Sequence, residues 1–129
     1  MQRSPIDLAL ARRQHAAYEQ ALREAGCEVQ QLPEQPDHPD SVFVEDTVIV
    51  LDEVAVITRP GAPSLRFEVE SMGTALGGLR ESVHIEPPGT LDGGDVLRLD
   101  RTLYVGASAR SSAEGVAQLG IRFKGERVF

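Results

Sequence analysis

The sequence has one cysteine, no tryptophan, 5% aromatic residues and no apolar run near the roughly 18 residues that a membrane-spanning helix needs. Each shortage excludes something. A single cysteine rules out an internal disulfide and fits a reducing compartment, so a cytoplasmic location is expected. Met1-Gln2-Arg3-Ser4-Pro5 has no apolar signal core behind it. With so few aromatics, the core must come from Val, Leu, Ile and Ala. Basic residues are also short, 13 against 20 acids, for a net charge of −7. That balance argues against nucleic acid or an anionic membrane as partner and suits a cationic ligand. What remains, 129 residues at 41% hydrophobic, is one domain's worth of chain with material for a real core.

The acid is concentrated in Pro39-Asp40-Ser41-Val42-Phe43-Val44-Glu45-Asp46, where three carboxylates surround a short apolar run. A guanidinium keeps its charge, presents a rigid fork of donors and pairs best with carboxylates. In an extended strand Asp40 and Asp46 would lie about 20 Å apart, too far to share a small ligand. The segment is therefore expected to bend, as a loop entering a strand. A solvated acidic loop is the plain alternative.

Along the chain, Ser4-Pro5-Ile6-Asp7 reads as a helix start with Ser4 as N-cap, followed by a face of Ala11, His15, Tyr18, Leu22 and Ala25 ended by Gly26. On that face His15 is expected to be a packing residue. Cys27 to Leu32 reads as a short strand, and Cys27 as buried filler, since nothing near it in sequence would activate a thiol. Thr47–Leu51 and Val54–Thr58 read as a hairpin turning at Asp52-Glu53, and Arg59 to Pro63 as a rigid turn. Ser64 caps a second helix with a face of Leu65, Val69, Met72, Leu76 and Leu79, weakened by Gly73, Gly77 and Gly78. Val83–Glu86 is a strand broken by Pro87-Pro88-Gly89. Asp92-Gly93-Gly94-Asp95 leads into a second hairpin, Val96–Leu99 with Thr102–Val105. Ser111-Ser112-Ala113-Glu114 is a capping box for a helix through Leu119, stopped by Gly120, and Ile121-Arg122-Phe123 starts a last strand.

Val48-Ile49-Val50-Leu51-Asp52 aligns with Val96-Leu97-Arg98-Leu99-Asp100, and Ser64 with Ser112, all at an offset of 48. Each unit reads strand, strand, helix, strand. Repeats of this length imply modules set around an axis, and two and a fraction of them leave open sheet edges.

Four ordered motifs, with support from Ala11-Arg12-Arg13-Gln14-His15, carry a specific resemblance. They are Asp40 to Asp46, Ile57-Thr58-Arg59-Pro60-Gly61-Ala62, Thr90-Leu91-Asp92-Gly93-Gly94-Asp95-Val96-Leu97 and Tyr104-Val105-Gly106. Together they resemble the dimethylarginine dimethylaminohydrolases of the pentein superfamily. The resemblance implies an α/β fold, a partial pentein-type propeller of about two and a half of five ββαβ modules. Its expected parts are 1–46 (helix, strand and acidic loop), 47–94 (first full repeat) and 95–129 (second, truncated repeat). It implies hydrolysis of N-methylated arginine to citrulline and a methylamine through a cysteine thiolate, a proton-handling histidine and an acid, without cofactor or metal. By motif, Asp40, Phe43, Glu45 and Asp46 would bind substrate, Arg59 and Arg110 its α-carboxylate, and Asp92 would be the catalytic acid. The cysteine and histidine of that family have no matching position here, since His38, His84 and Cys27 stand in other contexts. The chain thus resembles the first half of such an enzyme. It is expected to be inactive alone, and to self-associate or take a complementary half through open sheet edges. The alternatives are a non-catalytic module for arginine analogues or for assembly, and half of an arginine deiminase or amidinotransferase.

Overall fold

Asp7, rather than a residue nearer the terminus, starts the first helix: its carboxylate accepts the Leu10 N–H at 3.0 Å, and α1 runs Leu8–Glu24. The computed structural model describes residues 5–38, 41–61, 66–122 and 127–128, without the side chains of 67, 68, 70, 122 and 127. The expected caps Ser4 and Ser64, and Pro39, Asp40, Ala62, Pro63, Leu65 and Phe123, lie outside the described residues. Two compact units result, Met1–Pro33 and Glu34–Phe129.

In the first unit Gly26, at φ +89°, closes α1, and the Cys27 N–H donates back to Leu22 O at 3.0 Å. Several expectations fail here. Tyr18 is 62% exposed and the His15 side chain 63% exposed. The buried residue on α1 is Glu19, held by Gln31 at 2.7 Å, Arg23 at 3.1 Å and His15 at 3.2 Å. Among the described residues of this unit no second layer covers the apolar stripe. Residues 27–32 form no strand, since no described strand pairs with them, and Cys27 is exposed rather than buried.

The second unit carries the repeat. Strands β1 (Val48–Val50) and β2 (Val54–Ile57) form an antiparallel hairpin. Helix α2 (Arg66–Leu76) crosses over, and β3 (Glu81–His84) lies parallel to β2. Strands β4 (Val96–Leu99) and β5 (Thr102–Val105), helix α3 (Ala113–Arg122) and β6 (Arg127–Val128) repeat that order and sense in a second sheet. Asp100, at φ 53°, sits in the second hairpin turn.

Boundaries shift where local chemistry outweighs periodicity. Helix α2 stops at Leu76 because Gly78 takes φ +88°, which leaves Leu79 70% exposed. Strand β3 runs Glu81–His84, earlier than Val83–Glu86. Ser112 caps α3, accepting the Gly115 N–H at 3.2 Å, because Ser111 is engaged elsewhere. Gly120 does not stop α3; a single mid-helix glycine costs only about 1 kcal/mol, and the last strand forms at Arg127 instead.

The core shows why the two repeats stay together. Register puts Ile49 opposite Val56 on one face of the first sheet, and that face, with Leu51, packs with Leu91, Leu103 and Leu119. Its strands are continuous apolar runs, with Ala55, Val56 and Ile57 all buried, and burying such surface is the main stabilising term.

Candidate functional site

Two short 3₁₀ turns, Val44–Asp46 ahead of β1 and Gly93–Asp95 ahead of β4, meet and form the site. The first is tied down on both sides. Thr47 Oγ1 donates to Val44 O at 2.7 Å, and Thr58 Oγ1 donates to Asp46 O at 2.8 Å. Thr47 and Thr58 are both buried, so the turn that carries Glu45 and Asp46 is fixed by hydrogen bonds. The second turn fits against it only because it is glycine. A Cβ on Gly93 would overlap the Glu45 carbonyl, and one on Gly94 would overlap the Asp46 carboxylate.

Asp92 precedes those glycines and is fully buried. Its Oδ1 accepts the Gly94 N–H at 2.9 Å and caps the turn. Among the described residues its Oδ2 accepts no hydrogen bond, and Arg110 Nη1 stops 3.5 Å away. An ionised carboxylate offers about four acceptor positions, so this oxygen is the under-used group of the site.

Asp95 is the opposite case. Ser108 Oγ donates to its Oδ2 at 2.6 Å, Ser111 Oγ to the same oxygen at 2.7 Å, and Arg110 Nη2 to its Oδ1 at 2.8 Å. Burial works against ionisation, but these donors outweigh it and hold the carboxyl below the usual range. Asp46 moves the other way. Burial raises it first, then the charges of Asp92 and Glu45, with Arg110 offsetting part; once protonated it can offer its hydrogen to Asp92.

These shifts oppose each other in acid. The lowered Asp95 adds stability that is present above its unfolded value and lost as pH falls through its folded one. The raised Asp46 costs stability when ionised, a cost that vanishes as pH falls through its folded value. Asp46→Asn should therefore melt at or above the wild-type temperature at pH 7, with the gap closing toward pH 3. Thermal melts across that range check the sign. A variant less stable at pH 7 would mean that Asp46 is stabilised in its charged form.

Of the residues expected to form the site, Glu45, Asp46, Asp92 and Arg110 come together, with Glu45 exposed. Asp40 lies outside the described residues. Phe43 is 49% exposed, and its carbonyl accepts the Asp46 N–H at 3.0 Å. Arg59 is not joined to the carboxylates by any ion pair among the described residues. Its main chain pairs with Leu91, beside Asp92, but its guanidinium donates to Gly89 O at 3.0 Å. It lines a separate concavity of about 250 Å³ with Arg66, Val69 and His84. Of the two arginines expected to grip a carboxylate, Arg110 is paired with Asp95 and Arg59 with the Gly89 carbonyl.

Sequence reasoning missed Asp95, Ser108 and Ser111. Asp95 stood within the quoted Asp92-Gly93-Gly94-Asp95 motif, where a second acid beside paired glycines was the available signal. Ser111 sits where the sequence pattern calls for a helix cap. No group of three or more His, Cys, Asp or Glu arranged to hold a metal occurs among the described residues, and no described helix is long and apolar enough to cross a membrane.

The family described as N,N dimethylarginine dimethylhydrolase, eukaryotic, matches residues 2–125. The N(G),N(G)-dimethylarginine dimethylaminohydrolase of Streptomyces coelicolor is 47% identical over 125 residues, 96% of this chain and 48% of that protein. The enzyme of the same name from Pseudomonas aeruginosa is 41% identical over 115 residues, 88% of this chain and 45% of that one. A solved structure of the Pseudomonas aeruginosa protein, a cysteine-to-serine mutant complexed with citrulline, matches with a TM-score of 0.89 at 37% identity, covering 95% of this chain and 51% of that one. The chain spans about half the length of the curated relatives it matches. The motifs, the paired ββαβ units and the family match agree, and the chain belongs to the dimethylarginine dimethylaminohydrolase family.

Proposed function

We propose that this chain carries the guanidinium-binding half of a site that hydrolyses N-methylated arginine to citrulline and a methylamine, with the attacking thiolate supplied from outside it. One observation carries the reading: the buried Asp92 Oδ2 that accepts no hydrogen bond. A buried acceptor left open is costly, and a planar cation that donates to it removes the cost. Asp92 takes one guanidinium nitrogen, Asp46 and Glu45 flank it with charge, and Asp40 and Phe43 complete the cradle by motif. Arg110, half exposed, turns its free edge to the substrate's α-carboxylate, and Arg59 serves the same end by holding the turn before Asp92.

In the reaction a thiolate bonds to the guanidinium carbon and the methylamine leaves with a proton. Water then replaces sulfur, which gives citrulline. The carboxylates of the cradle are engaged in holding the cation, which leaves the attack to a thiolate. Cys27, the chain's one thiol, is exposed and stands in none of the family motifs.

Calorimetry and citrulline analysis with NG,NG-dimethylarginine test this together. Binding without citrulline is expected. Citrulline formed by the purified chain would contradict the external thiolate, and absence of binding would contradict the cradle.

A second reading, assembly with a complementary half, is favoured by the second sheet. By the offset of 48, its Leu97, Leu99 and Tyr104 correspond to Ile49, Leu51 and Val56. The latter are 8%, 1% and 0% exposed beneath the second repeat; the former are 56%, 55% and 46% exposed. A face built like the first calls for a further ββαβ layer, consistent with a partial ring of about two and a half of five modules. Light scattering at high concentration should show association, weakened by Leu97→Lys. A clean monomer would count against an assembling face.

A further inference from the structure

We propose that Asp95 is a positioning residue: by taking the Arg110 guanidinium onto its own carboxylate, it keeps the buried Asp92 oxygen open to an incoming cation. The inference rests on the proposed function above, in which Asp92 faces the ligand. Two acids compete here for one cation. Arg110 Nη2 donates to Asp95 Oδ1 at 2.8 Å, whereas Nη1 remains 3.5 Å from Asp92 Oδ2, beyond hydrogen-bond geometry. Because a guanidinium is a rigid planar fork, the direction taken by one nitrogen fixes the other.

Asp95 wins the competition through its remaining donors. Ser108 and Ser111 both donate to Oδ2, which leaves Oδ1 aimed at Arg110. Ser108 Oγ also accepts the Arg110 main-chain N–H at 2.9 Å, and Ser111 Oγ accepts that of Asp92 at 3.1 Å. Two hydroxyls thus fix Asp95, Arg110 and Asp92 relative to one another. Asp46, which also faces Asp92, is an acid and cannot satisfy its oxygen unless protonated. Were Arg110 released, the nearest cation would move onto Asp92 and close the site from within.

The test compares wild type with Asp95→Asn, using ligand-free crystal structures and NG,NG-dimethylarginine affinity. In the variant, Arg110 is expected to move to about 2.9 Å from Asp92 Oδ2, and affinity should fall about tenfold or more. In an Arg110→Met background the same substitution should change affinity no further. A merely structural role would lower affinity equally in both backgrounds. Arg110 staying on residue 95 or turning to solvent would overturn the proposal. The ligand-free structures decide this even if wild type binds no dimethylarginine, which would instead refute the cradle. Should Asp95→Asn not fold, Ser108→Ala, at an exposed position, should loosen the same pair and shift Arg110 the same way; an unmoved Arg110 there would count equally against it.

Discussion

Gly93→Ala should lower the thermal midpoint of the protein by roughly 4–24 °C. The added Cβ would be driven into the Glu45 carbonyl, a backbone atom that cannot swing aside. Overpacking a fitted contact costs about 1–3 kcal/mol, and each kcal/mol shifts the midpoint of a domain this size by roughly 4–8 °C. The shift should come with loss of ligand binding, because the turn that must move carries Asp92 on one side and Asp95 on the other. Gly73→Ala is the control. Nothing lies within 4 Å of a Cβ there, inside α2, and alanine should stabilise by about 0.5–1 kcal/mol through helix propensity. Differential scanning calorimetry of both variants checks the pair; equal midpoints would mean the two 3₁₀ turns do not touch.

Asp92→Asn should weaken dimethylarginine binding by about 2–5 kcal/mol, roughly thirtyfold to several thousandfold, the usual result of deleting one partner of a buried charge-assisted bond. Its effect on folding should be small. The asparagine carbonyl can still accept the Gly94 N–H, and Arg110 keeps Asp95. Glu45→Gln, at an exposed carboxylate, should cost no more than about 1 kcal/mol of binding. Titration calorimetry reads all three proteins. Equal losses for Asp92→Asn and Glu45→Gln would mean that the charge of the cluster matters and the open oxygen does not.

The hairpins and the repeat were legible because β-branched runs bounded by turn residues admit few alternatives, and the offset of 48 is visible in the residues themselves. The acidic segment was legible as chemistry, and the need for a bend followed from strand geometry. What fixes the Val44–Asp46 turn was not, since the bonds of Thr47 and Thr58 depend on tertiary approach. The stripe on α1 misled for a related reason: periodicity tells which residues share a face, not whether anything covers it. Helix boundaries moved where a glycine took positive φ or a serine found a better partner. Arg59 and Arg110 looked alike in sequence, and only the carbonyl of Gly89 and the carboxylate of Asp95 separate them. Asp95 itself was hidden because a second acid in a glycine turn reads first as turn chemistry.

The most direct measurement is a crystal structure of the chain with NG,NG-dimethylarginine bound. A guanidinium nitrogen about 2.9 Å from Asp92 Oδ2, with Arg110 still on Asp95, is the predicted arrangement. A ligand seated instead in the concavity of Arg59 and His84, with the Asp92 oxygen untouched, would contradict the account.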